Sequence, residues 1–216
     1  MKYPKLISSC LILFGLLLSL PAQSATALTE GKEYTLVNPP LAPESGKNVE
    51  VVEFFWYGCP HCFNLEPALN TWFKTMPKDV TFRRVPGILR DSWTTMAKAY
   101  YTLETLGKLE SLHTDLFKTI HVNNVNLDDE KNLFDWAASH GIDRKKFIET
   151  YNSFSVQSKV LRAKQVSRLS GIAGVPAVIV DGKFLTTVAM AGSLANFPGV
   201  LDAIIEKARQ DRAAHK

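Results

Sequence analysis

The sequence predicts an α/β fold in which one sheet, with its flanking helices, is interrupted by a block of further helices. Three features indicate this: an apolar segment of strand length at residues 49–56, a long stretch of helical spacing from about residue 96, and two short apolar segments on either side of Asp181-Gly182. With 216 residues, of which 46% are hydrophobic, the chain can bury a core without covalent crosslinks.

Residues 1–27 have the pattern of a secretory signal peptide. Lys2 and Lys5 form the basic start, residues 6–20 form the apolar segment, and residues 25–27 form a cleavage site of the A-x-A type. We therefore expect export, with cleavage near Ala27. The alternative is an uncleaved membrane anchor, but an apolar segment of 15 residues is shorter than the roughly 20 that a membrane-spanning helix needs.

The net charge of the chain is small. The formal charge is +4, and removal of the leader, with two lysines and no acidic residue, leaves +2. No basic run interleaved with aromatic residues follows the leader, so a nucleic acid is not an expected partner. Cys10 lies in the leader, so Cys59 and Cys62 are the cysteines of the mature chain. In an oxidising compartment we expect this pair to rest as a disulfide.

The first elements lead directly to the two cysteines. An edge strand is predicted around residues 34–37, and a break follows at residues 38–40. Residues 49–56 form a buried central strand, because both faces are apolar apart from Glu50 and Glu53. Gly58 ends this strand, and Pro60 suits the first turn of a helix, where a missing backbone N–H costs nothing.

The helix that begins at Pro60 has one apolar face, which places Cys62 on the buried side. Cys59 precedes this face and lies at the helix start, where backbone N–H groups are unpaired, so we expect it to be exposed. Pro67 is expected to kink the helix. The apolar face consists of Cys62, Leu65, Leu69, Trp72 and Met76.

The remaining elements follow from spacing and from turn residues. A strand is predicted at residues 80–85, and five helices follow it; Asp128 caps the third, Asp143 caps the fourth, and the fifth begins at Ser155. Asp181-Gly182 predicts a β-hairpin between residues 177–180 and 183–188. A last amphipathic helix begins near Asn196.

The C-x-x-C pair has three chemical interpretations: a redox dithiol, half of a zinc site, or a structural crosslink. A zinc site needs a second ligand pair at close spacing, and His113, His121, His140 and His215 are scattered. A crosslink that closes so short a loop contributes only about 2 kcal/mol. The redox interpretation is therefore favoured, and no metal or other cofactor is expected.

Several of these motifs occur together in one known family. Glu53-Phe54-Phe55 leading to Cys59-Pro60-His61-Cys62, Gly174-Val175-Pro176 before a strand, and Asp181-Gly182-Lys183 in the turn resemble the DsbA family of periplasmic thiol-disulfide oxidants. The resemblance covers nearly the whole mature chain. It implies a thioredoxin fold with an inserted helical domain, in which residues 28–88 and 155–216 form the thioredoxin-like domain and residues 89–154 form the insertion.

The resemblance also implies the roles of the site residues. Cys59 is the sulfur that substrates attack, and the helix N-terminus, His61 and Pro60 favour its thiolate. Val175-Pro176 is implied to be a cis-proline loop that faces the disulfide and contacts substrate, although by sequence alone a trans proline opening a strand is the ordinary interpretation. His61 also has an alternative interpretation as a solvated loop residue.

Glu53 and Glu66 are candidate proton relays to the buried sulfur of Cys62. Glu53 lies in the central strand, and Glu66 lies four residues beyond Cys62 on the same helical face. Their alternative interpretation is a snorkelling or water-bridged carboxylate. Of the aromatic residues around the motif, Tyr57 and Phe63 are the candidates for substrate contact, since strand aromatics are usually buried.

The resulting hypothesis is a monomeric periplasmic oxidase. Its disulfide passes to reduced, unfolded exported polypeptides through a mixed disulfide at Cys59, and the resemblance implies reoxidation by a DsbB-like membrane protein that reduces quinone. One alternative is an isomerase or reductase of the same fold, although only about twenty residues separate Leu28 from the first buried strand, too few for a dimerisation domain. The other is a peptide-binding chaperone with incidental cysteines.

Overall fold

A computed structural model describes residues 28–214, which form one five-stranded sheet and seven α-helices. The strands are β1 (Thr35–Leu36), β2 (Val49–Phe55), β3 (Val80–Pro86), β4 (Ala177–Val180) and β5 (Phe184–Thr186). The helices are α1 (Pro60–Trp72), α2 (Thr94–Thr105), α3 (Leu109–His121), α4 (Glu130–Ser139), α5 (Arg144–Tyr151), α6 (Phe154–Leu169) and α7 (Phe197–Ala214), and a short 3₁₀ turn at Asp91–Trp93 precedes α2.

Strand β2 is the centre of the sheet, whose order is β1-β5-β4-β2-β3. It pairs in parallel with β3 and antiparallel with β4, and all seven of its residues are buried. This explains its nearly continuous apolar sequence, because helices cover both faces of a strand in this position. The register places Glu53 opposite Arg84 of β3.

The predicted hairpin joins β4 to β5. Asp181 and Gly182 have φ angles of 54° and 67°, the left-handed values that two-residue hairpin turns require. A Cβ at Gly182 would lie 1.9 Å from the carbonyl oxygen of Leu41, so a larger residue is excluded there.

Three apolar clusters hold the elements together. One joins α1 and α7 to one face of the sheet, through residues such as Leu65, Leu69 and Ile204. A second joins α6 to the other face, where Val156 and Val160 pack with Val52. The third joins α2–α5 to the end of β2 and to both cysteines. The redox motif therefore lies where the helical block meets the sheet.

Several sequence predictions of element ends are wrong by one or a few residues. The cap of α4 is Asp129, which accepts a hydrogen bond from the backbone N–H of Asn132, and not Asp128; α6 is capped by Ser153 and not started by Ser155. In both cases an equivalent capping residue lies one or two positions away. Asp143 caps α5 as predicted. Helix α1 continues past Pro67 but ends at Trp72, so Met76 lies beyond it.

Within residues 28–214 no helix is sufficiently long and apolar to cross a membrane. The predicted signal peptide and its cleavage near Ala27 lie outside the described residues.

Candidate active site

The cysteines lie at the junction between β2 and α1. Cys59 is the N-cap of α1 in extended conformation, and Pro60 is the first helical residue. Gly58 allows the preceding turn, because a Cβ there would lie 2.3 Å from the ring of Trp56. Cys62 is fully buried, and both cysteines are free thiols, which is the reduced form of the pair.

Cys59 is less exposed than predicted, with only 8% of its surface accessible. The cause is the segment before β4, since the Cys59 thiol donates a hydrogen bond of 3.4 Å to the carbonyl oxygen of Val175. The expectation of an exposed helix start took no account of a segment more than a hundred residues away. Cys59 remains the more accessible of the two sulfurs.

The protein lowers the pKa of Cys59 to about 6, from an ordinary value of 9.0. The main cause is a hydrogen bond from the Cys62 thiol; burial opposes it, and the backbone N–H groups of Cys62 and His61 and the charge of His61 add to it. The sequence indicated the helix start and His61 but missed Cys62. A thiolate is therefore favoured at the helix N-terminus.

The pKa of Cys62 moves in the opposite direction. Burial raises it strongly, and the neighbouring Cys59 and the negative charge of Glu53 add to the effect. The two sulfurs are thus unequal: Cys59 is the one that ionises near neutral pH, and Cys62 remains a thiol that donates to it. An attacking or leaving thiolate is favoured at Cys59.

The Val175-Pro176 peptide bond is cis, as the resemblance implied. The Asn38-Pro39 bond is cis as well, which the sequence did not predict. Gly87 follows β3 and lies against this loop, since a Cβ on it would be 2.8 Å from a methyl group of Val175. The loop therefore lies close to both the sulfur of Cys59 and the end of β3.

A cavity of about 620 Å³, which we call the substrate groove, lies beside the loop. Val175 and Pro176, which the resemblance implied to contact substrate, line this cavity. Sequence reasoning missed other lining residues, which include Val188 and Leu194. Leu194 is 37% exposed, and it lines the same cavity as His61 and Pro176 only through tertiary structure. The exposed side chain of His61 forms one edge of the groove.

Glu53 and Glu66 both bind Arg84 beneath the cysteines. The Nε of Arg84 lies 2.9 Å from Glu53, and its Nη2 lies 3.1 Å from Glu66. Both carboxylates are at most 3% exposed, so the snorkelling interpretation is wrong. The pairing with Arg84 follows from the parallel register of β2 and β3, which the sequence did not reveal.

The two carboxyl groups differ in their affinity for a proton. Burial raises the pKa of Glu53 to about 7, against the opposing charge of Arg84. Burial acts on Glu66 in the same sense, but hydrogen bonds from His113 and Arg84 and the charge of Arg84 outweigh it and lower the pKa of Glu66. Within residues 28–214 the Oε1 atom of Glu53 is buried without a hydrogen-bond partner.

A buried chain of hydrogen bonds extends from Glu66 to Tyr57, and sequence reasoning missed it. His113 Nε2 lies 3.3 Å from Glu66, and its Nδ1 lies 2.7 Å from the hydroxyl of Tyr57. An ionised carboxylate only accepts, so Nε2–H donates to Glu66 and the Tyr57 hydroxyl donates to Nδ1. Tyr57 is 1% exposed, so the prediction that it contacts substrate is wrong.

Phe63 is half-buried beside the motif and stacks on His121, with ring centroids 5.2 Å apart. His121 Nε2 also bonds the carbonyl oxygen of Tyr57 at 2.7 Å. Helix α3 therefore supports the active-site turn from the side of the helical block. In the described part of the chain, no group of three or more His, Cys, Asp or Glu side chains could hold a metal ion.

Comparisons with known proteins agree with this geometry. Residues 75–198 match the sequence family described as DSBA-like thioredoxin domain. The thiol:disulfide interchange protein DsbA of Burkholderia cepacia is 36% identical over 210 residues, which cover 96% of this chain and 99% of that protein. This chain belongs to the DsbA family.

Other members are similar over nearly the same length. DsbA of Bordetella parapertussis is 38% identical over 188 residues, covering 87% of this chain and 88% of the relative. The crystal structure of Pseudomonas aeruginosa DsbA superposes with a TM-score of 0.81 at 35% identity and covers 88% of this chain and 97% of that one. The thioredoxin-like α/β fold is confirmed, and the chain is a thiol-disulfide oxidoreductase.

Proposed function

We propose that the Cys59-Cys62 disulfide is donated to reduced polypeptides after their export to the periplasm. The observation that carries the proposal is the inequality of the two sulfurs, since the pKa of Cys59 falls to about 6 while burial raises that of Cys62. A protein that stabilises the thiolate of its reduced form holds its disulfide less firmly, which makes the disulfide an oxidant.

The reaction has two exchange steps. A thiolate of the substrate attacks Sγ of Cys59, the Cys59–Cys62 bond breaks, and Cys62 leaves and takes up a proton. A second thiolate of the substrate then attacks the substrate sulfur of this mixed disulfide, and Cys59 leaves as a stabilised thiolate. The substrate loses two electrons and gains a disulfide, and the protein gains two electrons and becomes a dithiol.

The neighbouring residues support these steps in different ways. Pro60 starts α1 without a backbone N–H, and His61 contributes charge and a backbone donor to the Cys59 thiolate. In the disulfide form Cys59 has no S–H, so the carbonyl oxygen of Val175 is available to a backbone N–H of the substrate, as in strand addition. Pro176 lines the groove beside it.

Glu53 relays the proton that Cys62 needs when it becomes the leaving group. The pKa of Glu53 is about 7, so near neutral pH it is present in both protonation states. Its negative charge raises the pKa of Cys62, which indicates that the two groups interact. Glu66 holds Arg84 in place and serves as the second member of the relay.

Reoxidation requires an electron acceptor, because each cycle leaves a dithiol. We assign this role to a DsbB-like membrane protein that passes the electrons to quinone. The oxidase works as a monomer with no cofactor of its own, and nucleic acid is not a partner. The thioredoxin-like domain consists of residues 28–88 and 155–216, and residues 89–154 form the inserted helical domain.

The proposal is tested by mixing a reduced, unfolded substrate protein with one equivalent of the oxidase in its disulfide form. We expect native disulfides and activity to appear for a substrate with one disulfide, and neither to appear with the Cys59→Ser variant. If the wild-type protein forms no disulfides, and Cys59→Ser prevents aggregation of the unfolded protein as well as the wild type does, the chaperone is supported instead. Conversion of scrambled disulfides faster than formation of new ones would support the isomerase, and both results would contradict the oxidase.

A further inference from the structure

We propose that the substrate groove continues past Ile172 into a second subsite that binds an acidic side chain of the substrate polypeptide. This inference rests on the proposed oxidase function and specifies which polypeptide segments the site prefers. The second subsite is a cavity of about 570 Å³, which we call the α6 cleft because the outer side of α6 forms most of it.

The two cavities are adjacent. Gly171 and Ile172 line both the substrate groove and the α6 cleft. Ile172 is buried between them, and Gly171 is exposed at their common edge. A polypeptide that lies in the substrate groove with its cysteine at Cys59 can therefore extend into the α6 cleft without leaving the surface.

The apolar part of the α6 cleft suits an unfolded chain. Its walls include Ile88, Leu89 and Leu161, and Leu161 is 67% exposed, a large value for a leucine in the middle of a helix. An apolar surface next to the groove beside the reactive sulfur is expected to contact the same substrate.

The charged part of the α6 cleft determines which substrates are preferred. Lys164 and Arg168 line the cleft, and no acidic residue does. Lys164 is paired with Asp91 at 2.6 Å. Arg168 is exposed and makes no side-chain hydrogen bond or ion pair within the described residues, so its guanidinium is available to a carboxylate of the substrate.

The distance between Val175 and Arg168 determines how many substrate residues are needed to reach Arg168. Val175 and Arg168 are seven positions apart, so they lie within about 25 Å of each other, and an extended substrate needs at most about seven residues to span that distance. The preferred substrate therefore has apolar residues next to its cysteine and an aspartate or glutamate within about seven residues of it.

Three synthetic dithiol peptides test the subsite. They share one sequence with two cysteines and differ only at two adjacent positions five and six residues from the first cysteine, which are Glu-Glu, Gln-Gln or Lys-Lys. The second-order rate constant for oxidation by the mature, oxidised protein is measured for each. We expect the Glu peptide to react about two- to fivefold faster than the Gln peptide, the effect of one exposed charge pair, and the Lys peptide to be slowest.

The variant Arg168→Glu is expected to reverse the order of the three peptides. Lys74→Glu is the matched control: Lys74 is exposed, follows the end of α1 opposite to Cys59, and the charge change is the same, so the order should persist. Leu161→Gln is expected to slow all three peptides by a similar factor.

Three results would overturn the subsite. If wild-type protein oxidises the three peptides at equal rates, or if Arg168→Glu keeps the wild-type order, the α6 cleft has no part in recognition and the oxidase function stands. If no peptide is oxidised at all, the oxidase function fails and the subsite fails with it.

Discussion

The thiol of Cys59 lies 3.4 Å from the carbonyl oxygen of Val175 and donates a hydrogen bond to it. A thiolate has no hydrogen to donate, so ionisation of Cys59 ends this bond and leaves the carbonyl free. The disulfide form has no S–H either, so in that form the backbone of a substrate can donate to the oxygen that the thiol of the reduced form occupied. The reactive state of the sulfur and the binding of a polypeptide are thereby linked at one atom.

The reactivity of Cys59 is expected to follow its ionisation. With a pKa of about 6, the thiolate fraction increases about tenfold between pH 5 and pH 7 and changes little above pH 8. The rate of alkylation of the reduced protein by iodoacetamide, measured from pH 4 to pH 10, should show this profile. A rate that continues to increase up to pH 9 would contradict it.

Cys62 is expected to control the pKa of Cys59 through its hydrogen bond. Cys62→Ala removes the donor and should raise the pKa of Cys59 from about 6 towards 9.0. Cys62→Ser retains an O–H donor at the same place and should raise it less. The absorbance of the thiolate near 240 nm gives both values. Equal values in the two variants would show that the bond from Cys62 is not the main cause.

The buried Glu53 is expected to make folding stability depend on pH. Its pKa is about 7 in the folded protein against 4.5 ordinarily, so the folded state binds the proton more tightly and stability falls as pH rises between these values. Glu53→Gln should remove this decrease, which amounts to about 3 kcal/mol for a pKa that moves from 4.5 to about 7.

Denaturant unfolding of the reduced protein at pH 4.5 and pH 8 measures the effect of Glu53. The exposed Glu110 provides the control, since Glu110→Gln should leave the pH dependence as it is. If Glu53→Gln also has an unchanged pH dependence, the carboxyl group of Glu53 is not the group that titrates near pH 7.

Tyr57 and His113 are expected to stabilise the site as a pair. Tyr57→Phe leaves Nδ1 of His113 without its donor. His113→Phe leaves Tyr57 without its acceptor and Glu66 with Arg84 alone, so each variant should cost about 1–3 kcal/mol. The double variant should cost about 1 kcal/mol less than the sum, because the pair is lost only once. Additive costs in denaturant unfolding would contradict a direct bond.

The elements around the cysteines could be predicted because each depends on local sequence. The apolar strand β2, Pro60 at the helix start and the apolar face with Cys62 all follow from neighbouring residues. The position of Asp181-Gly182 in a hairpin follows from the backbone angles that those two residues adopt readily.

The parts that could not be predicted depend on distant segments. Val175 covers Cys59 from 116 residues away, and Arg84 joins Glu53 to Glu66 only because β3 pairs with β2 in one register. Tyr57 is buried because His113 of α3 accepts its hydrogen bond. Sequence spacing contains no information on such contacts. The wrong prediction that Asp128 caps α4 has a local cause, because an equivalent aspartate, Asp129, follows it.

The reduction potential of the Cys59-Cys62 pair tests the account most directly. The purified mature protein is equilibrated with glutathione buffers of known ratio, and the oxidised fraction is measured. Two proteins of known potential serve as references, DsbA at about −120 mV and thioredoxin at about −270 mV. We expect a value much closer to the first, because the protein stabilises the thiolate of Cys59. A value near that of thioredoxin would contradict the oxidase.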